Sequence, residues 1–118
     1  MKILGQHLLV EFYGCNQKAL NDEKFIRDSC EYAVRCSGAS IIGIRSHQFE
    51  PQGVSVVILV AESHLSIHTW PEYGYAGIDY FTCGDRVKPQ NTIDCLRNVL
   101  RPDNIHSQKI DRGKIEQK

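Results

Sequence analysis

The feature that most constrains the fold is a run of four strand-like segments separated by short turns. Apolar and β-branched residues dominate these segments, and Pro and Gly mark turns at 51–53 and 71–74. The predicted strands are residues 39–49, 54–61, 65–70 and 76–83. The segment 54–61 is the richest in β-branched residues, so we expect this strand to be central in a sheet.

Two helices are predicted, one on each side of this run. Apolar residues between Phe25 and Val34 recur at helical spacing, with Asn21 as the expected N-cap and Gly38 as the stop, which predicts a helix over about 22–37. A second, shorter helix is predicted over 91–100.

Further strands are predicted near the two chain ends. Residues 3–13 alternate loosely between apolar and polar, and residues 104–110 could add an edge strand. The charged tail at 111–118 is expected to fray. The order β-α-β-β-β-β-α-β implies an α+β fold, a two-layer sandwich in which a mostly antiparallel sheet carries both helices on one face.

Composition limits the classes of function. The 118 residues, 1–118, suffice for a single domain, and 14 basic side chains balance 14 acidic ones. Bulk positive charge for a nucleic-acid or anionic-membrane surface is therefore absent, so neither is an expected partner. No apolar run approaches the roughly 20 residues that cross a bilayer, and the N-terminus lacks a signal-peptide cleavage site, so we expect a soluble, cytoplasmic protein.

The five cysteines are at positions 15, 30, 36, 83 and 95. Their odd number and the lack of a Cys-x-x-Cys spacing argue against a disulfide framework or a structural zinc site. We expect most of them to be small buried apolar residues, with Cys83 a separate case.

Unusual residues concentrate in the segment 62–85, ESHLSIHTWPEYGYAGIDYFTCGD. A strand alternates its side chains between two faces. One face then carries His64, Ser66, His68 and Trp70, and the other Leu65, Ile67 and Thr69. The apolar face fits the helices better, which leaves the polar face open to solvent or to a cleft, and a merely solvated face is the simplest interpretation.

Two familiar kinds of site fit this segment poorly. His64 and His68 would be about 13 Å apart on a strand, too far to share a metal ion, so no metal is predicted. Ser63 or Cys83 with His68 has the residue types of a hydrolase, but no Gly-x-Ser-x-Gly elbow accompanies them.

Several motifs together resemble a known family. They are GQHLLVEFYGC near the N-terminus, PQGVS at 51–55, ESHLSIHTWPEYGYAGID from residue 62, and FTCGD at 81–85. The chain is similar to the small prokaryotic S-adenosylmethionine decarboxylases, pyruvoyl-dependent enzymes of spermidine biosynthesis. The resemblance implies assembly of the protomers into at least a homodimer, with active sites near the shared interface.

The resemblance also implies self-cleavage between Glu62 and Ser63. The Ser63 hydroxyl would attack the Glu62 carbonyl to form an ester, and elimination and hydrolysis would then leave a pyruvoyl group, with a β chain of 1–62 and an α chain of 63–118. His68 matches the family's proton acceptor for this processing, and Ser55 is the expected hydrogen-bonding assistant. Such a site must orient the hydroxyl and stabilise an oxyanion.

In the family's reaction, the pyruvoyl ketone forms a Schiff base with the substrate amine and replaces pyridoxal phosphate; no metal takes part. Cys83 matches the proton donor, since a thiol is mostly protonated near neutral pH yet able to donate. Glu72 resembles a ribose-binding carboxylate, and Phe49 and Trp70 are candidates for contacting the adenine or the sulfonium of the small-molecule substrate.

Other residues of the cleft and two departures from the family pattern complete the expectations. His7 and Glu11 lie on a strand that could line the same cleft, without an expected catalytic role. Relatives usually carry Gly where Val56 stands, which could alter the strand, a subunit contact or the pocket, and Arg where Gln6 stands. A pyruvoyl-dependent arginine or ornithine decarboxylase is therefore an alternative. A non-catalytic relative is a further one, although such a protein should have lost its processing residues.

Overall fold

The computed structural model describes residues 1–116, and its strands form one antiparallel sheet over that range. The elements in chain order are β1 (Lys2–Tyr13), α1 (Gln17–Leu20), α2 (Glu23–Cys36), β2 (Ile41–Gln48), β3 (Val54–Val60), β4 (Ser63–Trp70), β5 (Tyr75–Cys83), α3 (Pro89–Leu100) and β6 (Asn104–Ile115). A single 3₁₀ turn, Pro71–Tyr73, separates β4 from β5. The strand order is β2-β3-β4-β5-β1-β6, with every neighbouring pair antiparallel.

Strand register places the apolar side chains on one face of the sheet, where α2 and α3 cover them. The buried strand residues on this face include Val10, Phe12, Val56, Ile58, Leu65, Ile67, Ile78 and Tyr80. The helices contribute Ile26, Cys30, Val34, Ile93, Leu96 and Leu100 to the same core. The opposite face has no helix over it among the described residues, so the predicted two-layer α+β sandwich is confirmed.

The start of the long helix differs from the prediction by one residue. The Asp22 carboxylate accepts a hydrogen bond from the Phe25 N–H at 3.0 Å, so Asp22 and not Asn21 is the N-cap of α2. The unpredicted short helix α1 ends at Asn21 and displaces it from that role. The Asn21 side-chain oxygen instead accepts the Gly53 N–H at 2.9 Å, which ties the helix entry to the β2–β3 turn.

The expectation that β3 is central was wrong. The strands β4 and β5 occupy the middle of the sheet, and β3 is the second strand from the β2 edge. Because the helices cover only one face, burial alternates along β3, and Val57 and Leu59 remain 44% and 52% exposed on the open face. The run of β-branched residues in β3 therefore indicated an inner strand correctly, but it did not indicate burial on both faces of the sheet.

The C-terminal segment is longer and more ordered than predicted. The strand β6 pairs with β1 from Tyr13↔Asn104 to Lys2↔Ile115, so the expected fraying is wrong for 111–115. Backbone pairing of this edge strand with the long strand β1 outweighs the polar composition that suggested a frayed tail. The last two residues of the predicted tail, 117–118, lie outside the described residues.

Candidate active site

The strand β4 divides the predicted site residues into two groups. Ser63 is its first residue, and His68 lies five positions further on, which is roughly 16 Å along an extended strand. Within one chain His68 is thus too far from Ser63 to exchange a proton with it. The sequence suggested one site, whereas the structure places three of its residues at one end of β4 and five at the other.

The first group, here called the cleavage end, consists of Glu62, Ser63 and Cys83. Ser63 has φ of +147°, a region that is otherwise almost restricted to glycine, so its backbone is strained by about 1–3 kcal/mol. The Cys83 N–H donates to the Glu62 carbonyl oxygen at 2.9 Å. The Glu62 carboxylate accepts the Ser40 N–H at 3.1 Å, which fixes the turn before β4.

Of the cleavage end, the Cys83 side chain lies on the open side of the sheet, and the Ser63 hydroxyl contacts the ring of His64 on that side. The Ser63 Oγ lies 3.4 Å from the His64 Nδ1, and the thiol of Cys83 is free and exposed. Cys83 lies beside this serine because the register pairs Ser63 with Thr82. The Glu62 carbonyl, the Ser63 hydroxyl and the Cys83 thiol are therefore brought together by backbone pairing between β4 and β5.

The second group, here called the pocket end, consists of Phe49, Ser55, His68, Trp70 and Glu72. All five line one cavity of about 290 Å³, to which Gln52, Gly53 and Thr69 also contribute. The Ser55 Oγ and His68 Nδ1 are 2.6 Å apart, a short hydrogen bond that orients the imidazole. The predicted substrate-binding residues therefore gather with Ser55 and His68, and not with Ser63.

The floor of this cavity is held by Thr69 and Gly53. The Thr69 hydroxyl donates to the Leu20 carbonyl at 2.8 Å and accepts the Val54 N–H at 2.9 Å, which anchors β4 to α1 and β3. Gly53 has φ of +109°, and a Cβ there would lie 3.2 Å from the Thr69 carbonyl oxygen. The PQG turn thus needs glycine at this position for the cavity to keep its shape.

Between the two ends lies a polar network centred on Asp79, which the sequence did not suggest. Ser66, which is only 7% exposed, donates to one oxygen of Asp79, and the His7 Nε2 is 2.8 Å from the other. Burial alone would raise the pKa of Asp79, but these two hydrogen bonds hold that pKa below its usual value. The carboxylate is therefore ionised near neutral pH.

The network extends from His7 to β6. The Arg112 Nη1 lies 3.0 Å from the His7 Nδ1, and its guanidinium is 5.0 Å from the centre of the Phe81 ring, which stacks on His7. Since arginine can only donate, the His7 Nδ1 must accept and its Nε2–H must donate to Asp79. No local pattern shows that four strands bring these side chains together, which explains why the network was missed.

Glu11 is likewise a supporting residue. Its carboxylate accepts the Tyr75 hydroxyl at 2.9 Å, and Tyr75 packs against Trp70 with ring centres 5.4 Å apart. Burial, and then the Glu11 carboxylate, raise the pKa of Tyr75 to about 12, so the phenol stays protonated and keeps donating. Glu11 thereby supports the wall of the pocket end through Tyr75.

The two departures from the family pattern lie away from the pocket. Val56 is fully buried on the helix-covered face, so of the three suggested effects, a shift of the strand is the one its position allows. Gln6 is partly buried on β1 and lies with Gly84 and Asp85 around another surface cavity.

Two further findings concern the described residues only. Residues 1–116 contain no group of three or more His, Cys, Asp and Glu side chains arranged to hold a metal ion. No helix in this range is long and apolar enough to span a membrane.

The fold is an antiparallel α+β sandwich, and at the start of β4 a strained Ser63 follows a Glu62 carbonyl that accepts a backbone N–H. The S-adenosylmethionine decarboxylase family model matches residues 6–113. The S-adenosylmethionine decarboxylase proenzyme of Methanococcus vannielii is 47% identical over 98% of this chain and 95% of its own. That of Caldanaerobacter subterraneus is 43% identical over 98% and 94%.

A solved structure agrees with these sequence comparisons. The crystal structure of the adenosylmethionine decarboxylase from Aquifex aeolicus superimposes with a TM-score of 0.93 at 38% identity, covering 100% of this chain and 98% of that one. The chain belongs to the S-adenosylmethionine decarboxylase family.

Proposed function

We propose that this enzyme cleaves its own chain between Glu62 and Ser63 and then decarboxylates S-adenosylmethionine with a pyruvoyl group derived from Ser63. The observation that carries the proposal is the strained φ of Ser63 beside a Glu62 carbonyl held by the Cys83 N–H at 2.9 Å. Cleavage would give a β chain of residues 1–62 and an α chain of residues 63–118. The product supplies aminopropyl groups for spermidine biosynthesis.

The cleavage end supplies two elements that an amide needs before a hydroxyl can displace its nitrogen. The strain of about 1–3 kcal/mol at Ser63 is released when the peptide bond opens, which lowers the barrier. The Cys83 N–H already points at the oxygen on which negative charge develops, so it can stabilise the oxyanion without reorganisation.

The residues at the cleavage end also fit the pyruvoyl group and the second reaction. A pyruvoyl group supplies an electron sink for the loss of CO₂ from an amino acid. The thiol of Cys83 is free and exposed beside this position, so Cys83 is the group that would return a proton to the substrate's α-carbon.

The pocket end fits a nucleoside better than it fits arginine or ornithine. Phe49 and Trp70 are 46% and 43% exposed, so both rings have free area for an adenine or a sulfonium. Glu72 lines the same cavity and can accept hydrogen bonds from two vicinal ribose hydroxyls. An amino acid with no aromatic ring and no diol would leave these groups unused.

We infer that the working enzyme is a homodimer whose sites combine the cleavage end of one protomer with the pocket end of its partner. Cys83 and His64 at the cleavage end, and Ser55 and His68 at the pocket end, lie on the open side of the sheet. A two-fold axis repeats each contact between the two chains in both directions, so one interface would complete two sites. Val57 and Leu59, exposed on that face, offer apolar area for the contact. His68 would then reach Ser63 across the interface.

We also infer a cytoplasmic location. All five cysteines are free in the described structure, including the exposed Cys83, and such thiols persist in a reducing compartment.

Intact-mass spectrometry under denaturing conditions tests the proposal. Wild-type protein should give two fragments that meet between Glu62 and Ser63, with the second blocked at its N-terminus, and Ser63→Ala should remain whole. Ser107→Ala, on the exposed edge strand β6, is the matched control and should be cleaved normally. A wild-type chain that stays intact, or a Ser63→Ala chain that is cut, contradicts the assignment.

Substrate identity needs a second assay. Cleaved wild-type protein should release CO₂ from S-adenosylmethionine and not from arginine or ornithine, and the activity should be lost on treatment with borohydride in the presence of substrate. Release from either basic amino acid at a comparable rate would favour the alternative substrate class.

A further inference from the structure

We infer that His64 takes the proton from the Ser63 hydroxyl in the first step of chain cleavage, and that Asp79 holds the His64 imidazole for this task. The inference rests on the proposed self-cleavage and assigns its first proton transfer to a residue within the same chain.

The geometry follows the order hydroxyl, imidazole, carboxylate. The Ser63 Oγ is 3.4 Å from the His64 Nδ1, and the His64 Nε2 is 3.4 Å from the Asp79 Oδ1. An ionised carboxylate can only accept, so the proton of a neutral His64 belongs on Nε2 and its Nδ1 lone pair faces the hydroxyl. Hydrogen bonds of a catalytic base are often long before the reacting groups tighten together, so 3.4 Å is compatible with this role.

Asp79 is itself fixed and charged, as an orienting carboxylate must be. Ser66 donates to its second oxygen, and the His7 Nε2–H donates to the first at 2.8 Å, with Arg112 bonded to the far side of His7. These hydrogen bonds favour the ionised form, and a carboxylate in this position stabilises the imidazolium that forms when His64 accepts a proton.

His68 does not compete for this proton within the chain. It lies roughly 16 Å further along β4, and its Nδ1 is already hydrogen-bonded to the Ser55 Oγ at 2.6 Å. Among the described residues, His64 is the imidazole in hydrogen-bond contact with Ser63.

The step is balanced without a further reagent. The proton of the Ser63 hydroxyl moves to the His64 Nδ1 while the Oγ forms a bond to the Glu62 carbonyl carbon, whose oxygen becomes an oxyanion facing the Cys83 N–H. When the oxyanion collapses, the bond between this carbon and the Ser63 nitrogen breaks, and the nitrogen takes the proton back from His64. The products are an ester and a free amine, and His64 is regenerated.

This assignment gives the two histidines separate tasks. His64 acts before the ester forms, in its own chain, and His68 of the partner subunit is left for the later removal of the Ser63 α-proton. The ester between the two steps is cleaved by hydroxylamine, whereas ordinary peptide bonds are not, and the sequence contains no hydroxylamine-sensitive Asn-Gly pair.

The test follows freshly purified wild-type, His64→Ala and His68→Ala proteins by denaturing mass spectrometry, with and without hydroxylamine. We expect His64→Ala to cleave about a hundredfold or more slowly than wild type, a typical loss for a missing general base, and to stay resistant to hydroxylamine. His68→Ala should accumulate chain that hydroxylamine cuts after Glu62. His106→Ala, an exposed histidine on β6, is the control and should cleave at the wild-type rate.

Three further variants guard against misfolding and test Asp79. His64→Gln, of similar polarity and checked for a wild-type unfolding midpoint, should show the same resistant, uncleaved chain. Asp79→Asn should also slow cleavage, and no ester should accumulate in it. The double variant Asp79→Asn with His64→Ala should cleave no more slowly than His64→Ala alone, because the carboxylate acts through the imidazole. Additive losses would mean that Asp79 has only a structural role.

Cleavage of folded His64→Ala and His64→Gln at the wild-type rate overturns the inference while leaving the proposed function intact. Ester in the His64 variants and none in His68→Ala also overturns it, because the two roles would be reversed. If wild-type protein itself never cleaves, the proposed function fails and the inference fails with it.

Discussion

The two ends of β4 achieve their geometry by different means. At the cleavage end, a strained φ at Ser63 and a backbone N–H from Cys83 act on a peptide carbonyl. At the pocket end the only unusual backbone conformation of a cavity-lining residue is that of Gly53, and side chains such as Ser55 and His68 carry the hydrogen bonds. The proposed bond breaking in the chain thus depends on backbone conformation, whereas the pocket depends mainly on residue identity. The strand β4 can carry both the cleavage end and the pocket end because its length keeps the two groups apart.

The largest expected effect is the recovery of decarboxylation when two inactive variants, one altered at each end of β4, are mixed. Ser63→Ala removes the nucleophile at one end, and His68→Ala removes the imidazole at the other. If each site combines opposite ends of two protomers, a mixed dimer holds one site with both defects and one with neither. Co-expression at equal levels should therefore restore decarboxylation from background to about a quarter of the wild-type value, since half of the dimers are mixed and each has one working site.

Differently tagged chains make this measurement specific. The mixed dimer is isolated through both tags, and only its His68→Ala chain should be cut, because the other chain lacks the serine. Failure to recover any activity in dimers that carry both tags would show that the two ends do not meet across copies of the chain.

Glu72→Gln should separate the pocket end from the cleavage end. Loss of a charge-assisted hydrogen bond costs about 1.5–3 kcal/mol, so KM for S-adenosylmethionine should rise by about 10- to 100-fold. The rate of chain cleavage should not change, because Glu72 lines the substrate cavity and has no part in the proton transfers proposed for cleavage, including where the pocket end meets the partner's cleavage end. Glu31→Gln, on the surface of α2, is the control and should leave both quantities unchanged.

The difference between the two ends also explains what could be predicted from the sequence. Period-two alternation and helical spacing are local, so the strands, the two long helices and the polar face of β4 were predicted closely. The members of the pocket end were predicted from the family resemblance together with side-chain type, and Phe49, Trp70 and Glu72 do line one cavity with His68.

The remaining features depend on non-local pairing. The strain at Ser63, the contact between Cys83 and Glu62, and the gathering of His7, His64 and Asp79 all follow from the register of β4, β5 and β1. The pairing of β6 with β1 likewise keeps residues 111–115 in a strand, although their polar composition predicted a frayed tail. The family resemblance predicted that Ser63 and His68 share one site. The length of β4 in the structure shows that they lie near opposite ends of this strand.

Asp79→Asn tests the network that lies between the two ends. Hydrogen bonds favour the charged form of Asp79, so its pKa is lower in the folded than in the unfolded protein. The ionised carboxylate therefore contributes to stability above about pH 4. This contribution is lost as the pH falls through the folded pKa. At pH 7 the free energy of unfolding should fall by about 1–3 kcal/mol. Urea denaturation at several pH values should show the gap between the two proteins narrowing below about pH 4, and a gap that is constant with pH would contradict this account.

Val56→Ala should have the smallest effect on the active site, because it lies on the opposite face of the sheet. Its side chain is fully buried between the strands and the helices, so removing two methyl groups should cost about 1–2 kcal/mol of unfolding free energy. The rate of chain cleavage and KM should match the wild type, since neither end of β4 touches this residue from the open face. Thermal unfolding together with both kinetic assays checks this. If KM changed while stability did not, Val56 would influence the pocket through the strand, and the independence of the two faces of β3 would have to be abandoned.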